Sequence, residues 1–99
     1  MPKKKRSEDE RLRIVLYIMG NTPNSRKAAK NLRKVCEHIQ EYDLEVVDIQ
    51  EAPERIKQDQ VIAVPTLIKV HPEPQRRVVG DLSDGVKVRA ALGLDDEVE

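Results

Sequence analysis

Leu12-Arg13-Ile14-Val15-Leu16-Tyr17-Ile18-Met19 is apolar at seven of its eight positions and rich in β-branched side chains. A run of this kind, ended by turn residues, reads as a central strand covered on both faces. Gly20-Asn21-Thr22-Pro23-Asn24-Ser25 ends it. Gly20 and Asn21 tolerate turn dihedrals, Thr22 is expected to accept a bond from a first-turn amide, and Pro23 suits the first helical position. The chain should therefore pass from a buried strand straight into a helix, which is half of a βαβ unit.

A thioredoxin-type oxidoreductase places Cys-x-x-Cys at such a turn, and here the turn has no cysteine. From Pro23 to Gln40, Ala28, Ala29, Leu32, Val35, Cys36 and Ile39 recur at three and four, predicting one amphipathic helix against the sheet. Cys36 lies on the apolar stripe, far from a helix N-terminus, so it is expected to fill core rather than react. His38 has no partner at ligand spacing and reads as surface. Arg26, Lys27, Lys30, Arg33 and Lys34 form the outer face. Such a face could dock an acidic partner, but plain solvation is the expected state.

Ninety-nine residues suit one domain. With two tyrosines and no Phe or Trp, the chain offers no aromatic platform for stacking bases. Eighteen basic and eighteen acidic side chains cancel, so no global field steers the protein to a polyanion. These features argue against nucleic-acid binding. A single cysteine and the lack of any apolar run near the ~20 residues of a membrane span lead to a cytoplasmic expectation with no membrane role. Residues 1–11 and the acidic Asp95-Asp96-Glu97-Val98-Glu99 are almost pure charge and are expected to be disordered tails around a domain at 12–94.

Leu44 to Ile49 reads as a second strand, parallel to the first because a full helix separates them. Ala52 to Lys57 opens a short helix with Pro53 near its first turn. Val61 to Val70 could be helix before Pro65 or strand after it. His71-Pro72-Glu73-Pro74 reads as a rigid turn with His71 in the loop, and Arg76 to Gly80 as a returning strand. Val86 to Leu92 fits both periods: it alternates as an edge strand, while Val88, Ala91 and Leu92 also share a helical face. Ser83 and Asp84 would cap the helical version.

In order and spacing, Leu16 to Ser25, Val46 to Ile49, Ala63 to Leu67 and Val79 to Asp84 resemble the KaiB family of circadian-clock proteins. The Gly-Asn-Thr-Pro-Asn-Ser and Gly-Asp-Leu-Ser-Asp blocks are the specific ones. The resemblance implies an α/β, thioredoxin-like βαβαββα fold with an alternative ground state, βαββααβ, that assembles as a homotetramer. It implies a non-enzymatic protein with no cofactor or metal, switching fold to bind a KaiC-like ATPase. A KaiA-like protein or a clock-associated histidine kinase is a further implied partner, as is self-association as a tetramer or dimer.

The same resemblance implies a partner-binding set of Thr22, Pro23, Asn24, Ser25, Asp48, Pro53 and Ile56. It also implies a fold-switch set of Pro65, as a cis-proline, with Gly80, Asp81, Ser83 and Ala91. Glu45 stands where clock-type members usually carry lysine, which alters the sign of the polar edge and leaves room for a stress-adaptation paralogue. Two other functions are carried beside the clock regulator: a single-fold thioredoxin-like adaptor for a kinase or stress partner, and a thiol enzyme using Cys36.

Overall fold

The computed structural model describes residues 11–94, so the acidic tail expected at 95–99, and all of the amino-terminal tail but Arg11, lie outside the described residues. Arg11 is no loose end: its guanidinium donates to both Asp43 carboxylate oxygens at 2.9 and 3.1 Å. The described chain runs β1 (Leu12–Ile18), α1 (Pro23–Cys36), β2 (Tyr42–Asp48), α2 (Glu54–Asp59), β3 (Thr66–His71), β4 (Arg76–Val79) and α3 (Gly85–Ala91). This is the βαβαββα order.

The sheet runs β2-β1-β3-β4, which puts the Leu12 run in an interior position as its composition requires. β1 is parallel to β2 and antiparallel to β3, and β3 is antiparallel to β4. Alternation along β1 feeds two cores. Leu12, Ile14 and Leu16 pack with Ala28, Leu32, Val88 and Leu92 under α1 and α3. Val15 and Tyr17 pack with Val47, Val61 and Ile68, with Ile56 of α2 against them.

Several boundaries shift for identifiable reasons. α1 ends at Cys36 rather than Gln40, because the Glu37 and Ile39 amides take the Lys34 and Cys36 carbonyls three residues back. That tighter turn leads into β2, which opens at Tyr42, two residues before the expected Leu44. α2 starts after Pro53 and ends at Asp59, capped by Gln60, a left-handed residue with φ 54°. Arg77 of β4 then donates to the Asp59 and Gln60 carbonyls and ties that helix end to the sheet.

The ambiguous stretches resolve. Val61 to Pro65 is irregular, and the strand starts at Thr66, after a cis Val64-Pro65 bond. β3 extends to His71, so this residue closes a strand instead of lying in the loop, and its Nδ1 sits 2.9 Å from the Arg11 carbonyl. Val86 to Leu92 is helical here. Asp84 Oδ1 accepts the Lys87 amide at 3.1 Å, and Val88 and Leu92, one turn apart, both reach the core. The edge-strand pattern would put Val86 and Val88 on one face, whereas Val86 is 66% exposed and Val88 fully buried.

Candidate docking face at the β1–α1 turn

β1 is antiparallel to β3, so the end of β1 and the start of β3 meet: Tyr17 pairs with Thr66, and Thr66 with Val79. The turn after β1, the end of β2, Pro65 and Gly80 therefore share one end of the sheet. In open α/β sheets that end, beyond the carboxyl termini of the parallel strands, is the usual place for a binding site.

Two side chains lock the turn. Ser25 Oγ accepts the Met19 amide at 3.0 Å and the Thr22 hydroxyl at 2.9 Å. Asp48 Oδ1 accepts the Gly20 amide at 3.1 Å and the Gln50 amide at 2.9 Å. Thr22 is the N-cap residue of α1 but makes no side-chain cap bond, contrary to the sequence expectation. Its hydroxyl goes to Ser25 because that buried oxygen stands one helical turn ahead. Gly20 adopts φ +51°, a backbone angle that favours glycine; the nearest atoms a Cβ there would meet belong to the exposed Gln50 side chain, which can swing aside.

Thr22, Pro23 and Asn24 are exposed along this rim, while Ser25 is buried, so Ser25 acts on the face through the shape of the turn. From Asp48 the chain folds tightly into α2, the Asp48 carbonyl taking the Glu51 and Ala52 amides. Pro53 is exposed at the start of α2, and Ile56 is half-buried in the second core. Arg55, which the sequence did not single out, donates to both Glu45 oxygens at 2.9 and 3.1 Å and lies 5.9 Å over the Tyr17 ring. Hydrogen bonding to Arg55 holds the Glu45 carboxyl below its ordinary range and raises the Arg55 guanidinium. Opposite charges ten residues apart were the only sequence signal for this pair.

The second set lies beside the first. Pro65 is buried and its carbonyl accepts the Gly80 amide at 2.9 Å. Gly80 has φ +118°. Asp81 Oδ1 accepts the Ser83 amide at 3.0 Å, and bonding to Ser83 lowers its carboxyl from the ordinary value. The Asp81 carbonyl accepts the Asn31 side-chain amide at 2.9 Å, fixing this loop to α1. Ala91 is apart from the rim, packed on the first core from α3.

Cys36, at the far end of α1, is buried, and desolvation pushes its thiol up to about 11 despite a bond with Tyr42. At neutral pH it is a thiol, and the turn where a redox pair would stand is made of hydroxyl, amide and carboxylate groups. Among the described residues no group of His, Cys, Asp and Glu could hold a metal ion, and no helix is long and apolar enough to cross a membrane.

The family model of the KaiB domain matches residues 15–94. Relatives named circadian clock oscillator protein KaiB, from Synechococcus sp. strain RCC307 and Nostoc punctiforme, are 45% and 44% identical over 84 residues. Those alignments cover 83% of this chain and 74% and 79% of the two relatives. In shape the chain is similar to mitochondrial thioredoxin 3 from Saccharomyces cerevisiae, with a TM-score of 0.71 at 13% identity, covering 87% of this chain and 79% of that one. It is also similar to the N-terminal domain of Synechococcus elongatus SasA, with a TM-score of 0.69 at 16% identity, covering 100% and 99%.

Proposed function

The chain belongs to the KaiB family and has the thioredoxin-like fold, and we propose that it is a non-enzymatic clock-type regulator that docks on a KaiC-like ATPase in the cytoplasm. The observation that carries this reading is the exposed Thr22, Pro23 and Asn24 rim, fixed by Ser25 and Asp48 at the binding end of the sheet. It is hydrogen-bonded, polar and free of thiols, which suits recognition rather than redox chemistry. Pro53 and Ile56 extend the face along α2.

The carboxy-terminal third is where a second architecture would form. Pro65, Gly80, Asp81, Ser83 and Ala91 are the residues at which βαβαββα would exchange with the tetrameric βαββααβ state. Support comes from the double periodicity of Val86 to Leu92 and from the positive φ of Gly80 and Leu82, which concentrate unusual backbone at the junction. Two states a few kcal/mol apart would let a partner select the competent one. A KaiA-like protein and a clock-associated histidine kinase remain further candidate partners.

The test combines a pull-down against a purified KaiC-type ATPase with the mass and circular dichroism of the free protein. Binding that Asn24→Arg abolishes, with folding intact, is expected. Absence of binding, or binding indifferent to Asn24→Arg and to Asp48→Ala, overturns this reading. That outcome would favour the single-fold adaptor.

A further inference from the structure

We infer that the outer face of α1 is a second docking surface, for an acidic segment of a partner protein. Arg26, Lys27, Lys30, Arg33 and Lys34 are all exposed, opposite the buried stripe of Ser25, Ala28, Leu32 and Cys36. Among the described residues none of the five makes an ion pair. Arg26 reaches back to the Asn21 carbonyl at 3.2 Å. Lys27 stands near Asp81, whose carboxylate is already engaged by Ser83.

What the sequence alone could not show is where the acids go. The ion pairs given by the described residues join Arg11 and Arg13 to Asp43, Arg11 to Glu41, and Arg55 to Glu45 and Asp59. All lie on β2, its approach or α2, away from α1. Among the described residues, no carboxylate forms an ion pair with this helix face. Arg26 with Lys30, and Lys30 with Lys34, are like charges one turn apart, a spacing that destabilises a helix. The first turn has no acidic residue to meet the helix dipole. A helix kept in this state gains from an anion brought by another molecule.

The occupant follows from size and chemistry. The stripe from Arg26 to Lys34 is about 12 Å long at 1.5 Å per residue, the reach of about four residues of extended peptide. A nucleic acid would need a longer basic track or an aromatic surface for stacking, and the chain has only two tyrosines. Asp43, Glu45 and Asp59 of a second copy are already held by its own arginines, which makes it a poorer source of free carboxylates than a separate acidic peptide. This inference does not depend on docking to an ATPase.

The experiment uses the full chain and a fluorescent octaglutamate peptide, with an octaglutamine peptide and a single-stranded DNA of twelve nucleotides as competitors. Octaglutamate is expected to bind, more weakly as salt rises. Lys30→Glu combined with Lys34→Glu should reduce affinity by at least roughly tenfold, while Arg76→Glu on β4 leaves it unchanged. Circular dichroism establishes that the variants are folded, and Arg33→Gln serves as a milder second variant with a smaller loss. The inference is overturned if octaglutamate does not bind, if the α1 variants bind it as the parent does, or if the DNA displaces it through the same residues with higher affinity.

Discussion

The Asp48 carboxylate accepts the Gly20 amide at 3.1 Å, joining the end of β2 to the turn that leaves β1. The same oxygen takes the Gln50 amide, so one side chain satisfies two backbone donors that no strand or helix would pair. Asp48→Ala removes both bonds and should lower stability by about 1–2 kcal/mol, read as a shift in the urea midpoint with unchanged slope. Amide exchange at Gly20 should accelerate more than exchange at Leu16, because the damage is local to the turn.

Cys36 should resist modification. Its thiol is pushed from the ordinary 9.0 to about 11, chiefly by burial, so at pH 8 the native protein should react with a disulfide reagent only through transient opening. Labelling in urea should be complete within the mixing time by comparison. The raised value also sets a sign. The folded state keeps the proton more tightly, so the stabilisation is fully present below pH 9 and is lost as pH rises toward 11. A Cys36→Ala variant should lack that alkaline decline in the urea midpoint, though it starts lower because a buried side chain has been trimmed.

Arg55 and Glu45 give a third expectation. Glu45 is 56% exposed and Arg55 26%, so water screens the carboxylate end of the pair and its coupling in a double-mutant cycle should stay below about 1 kcal/mol. Arg55→Ala should nonetheless destabilise more than Glu45→Ala, since Arg55 also covers the Tyr17 ring and approaches Asp59 at 3.6 Å. Equal effects of the two single variants would show that the guanidinium contributes through Glu45 alone.

Where the sequence was legible, a strong local signal met an unopposed tertiary demand. The Leu12 run had to be interior, and Pro23 had to begin a helix, because burial and backbone chemistry agreed there. The expected Thr22 cap does not form because two hydroxyls stand one helical turn apart, and only packing decides where the Thr22 hydroxyl goes. Cys36 was placed as core filler, and its position at the last turn of α1 adds the burial that suppresses ionisation. Val86 to Leu92 was undecidable from its own pattern. The arbiter was the fit of Val88 and Leu92 under α1, a contact 50 or more residues away in sequence that no local window contains. The Arg77–Gln60 tie was invisible for the same reason, and the Arg55–Glu45 pair showed only as opposite charges ten residues apart.

Tyr17 supplies the last test. It is fully buried near the end of β1, and its hydroxyl has no hydrogen-bond partner among the described residues. Burying a hydroxyl without a partner forfeits its bonds to water, a penalty of about 1–3 kcal/mol, which the ring's burial must outweigh. Removing only the oxygen should therefore help: Tyr17→Phe is expected to leave stability unchanged or raise it by up to about 1 kcal/mol, after a small loss for the cavity left at the ring's tip. Tyr17→Ala, which removes the ring, should lower it by about 3–5 kcal/mol. A large loss in Tyr17→Phe would mean that the hydroxyl is bonded in solution, and would make Tyr17 a structural polar anchor between β1 and α2 rather than an apolar one.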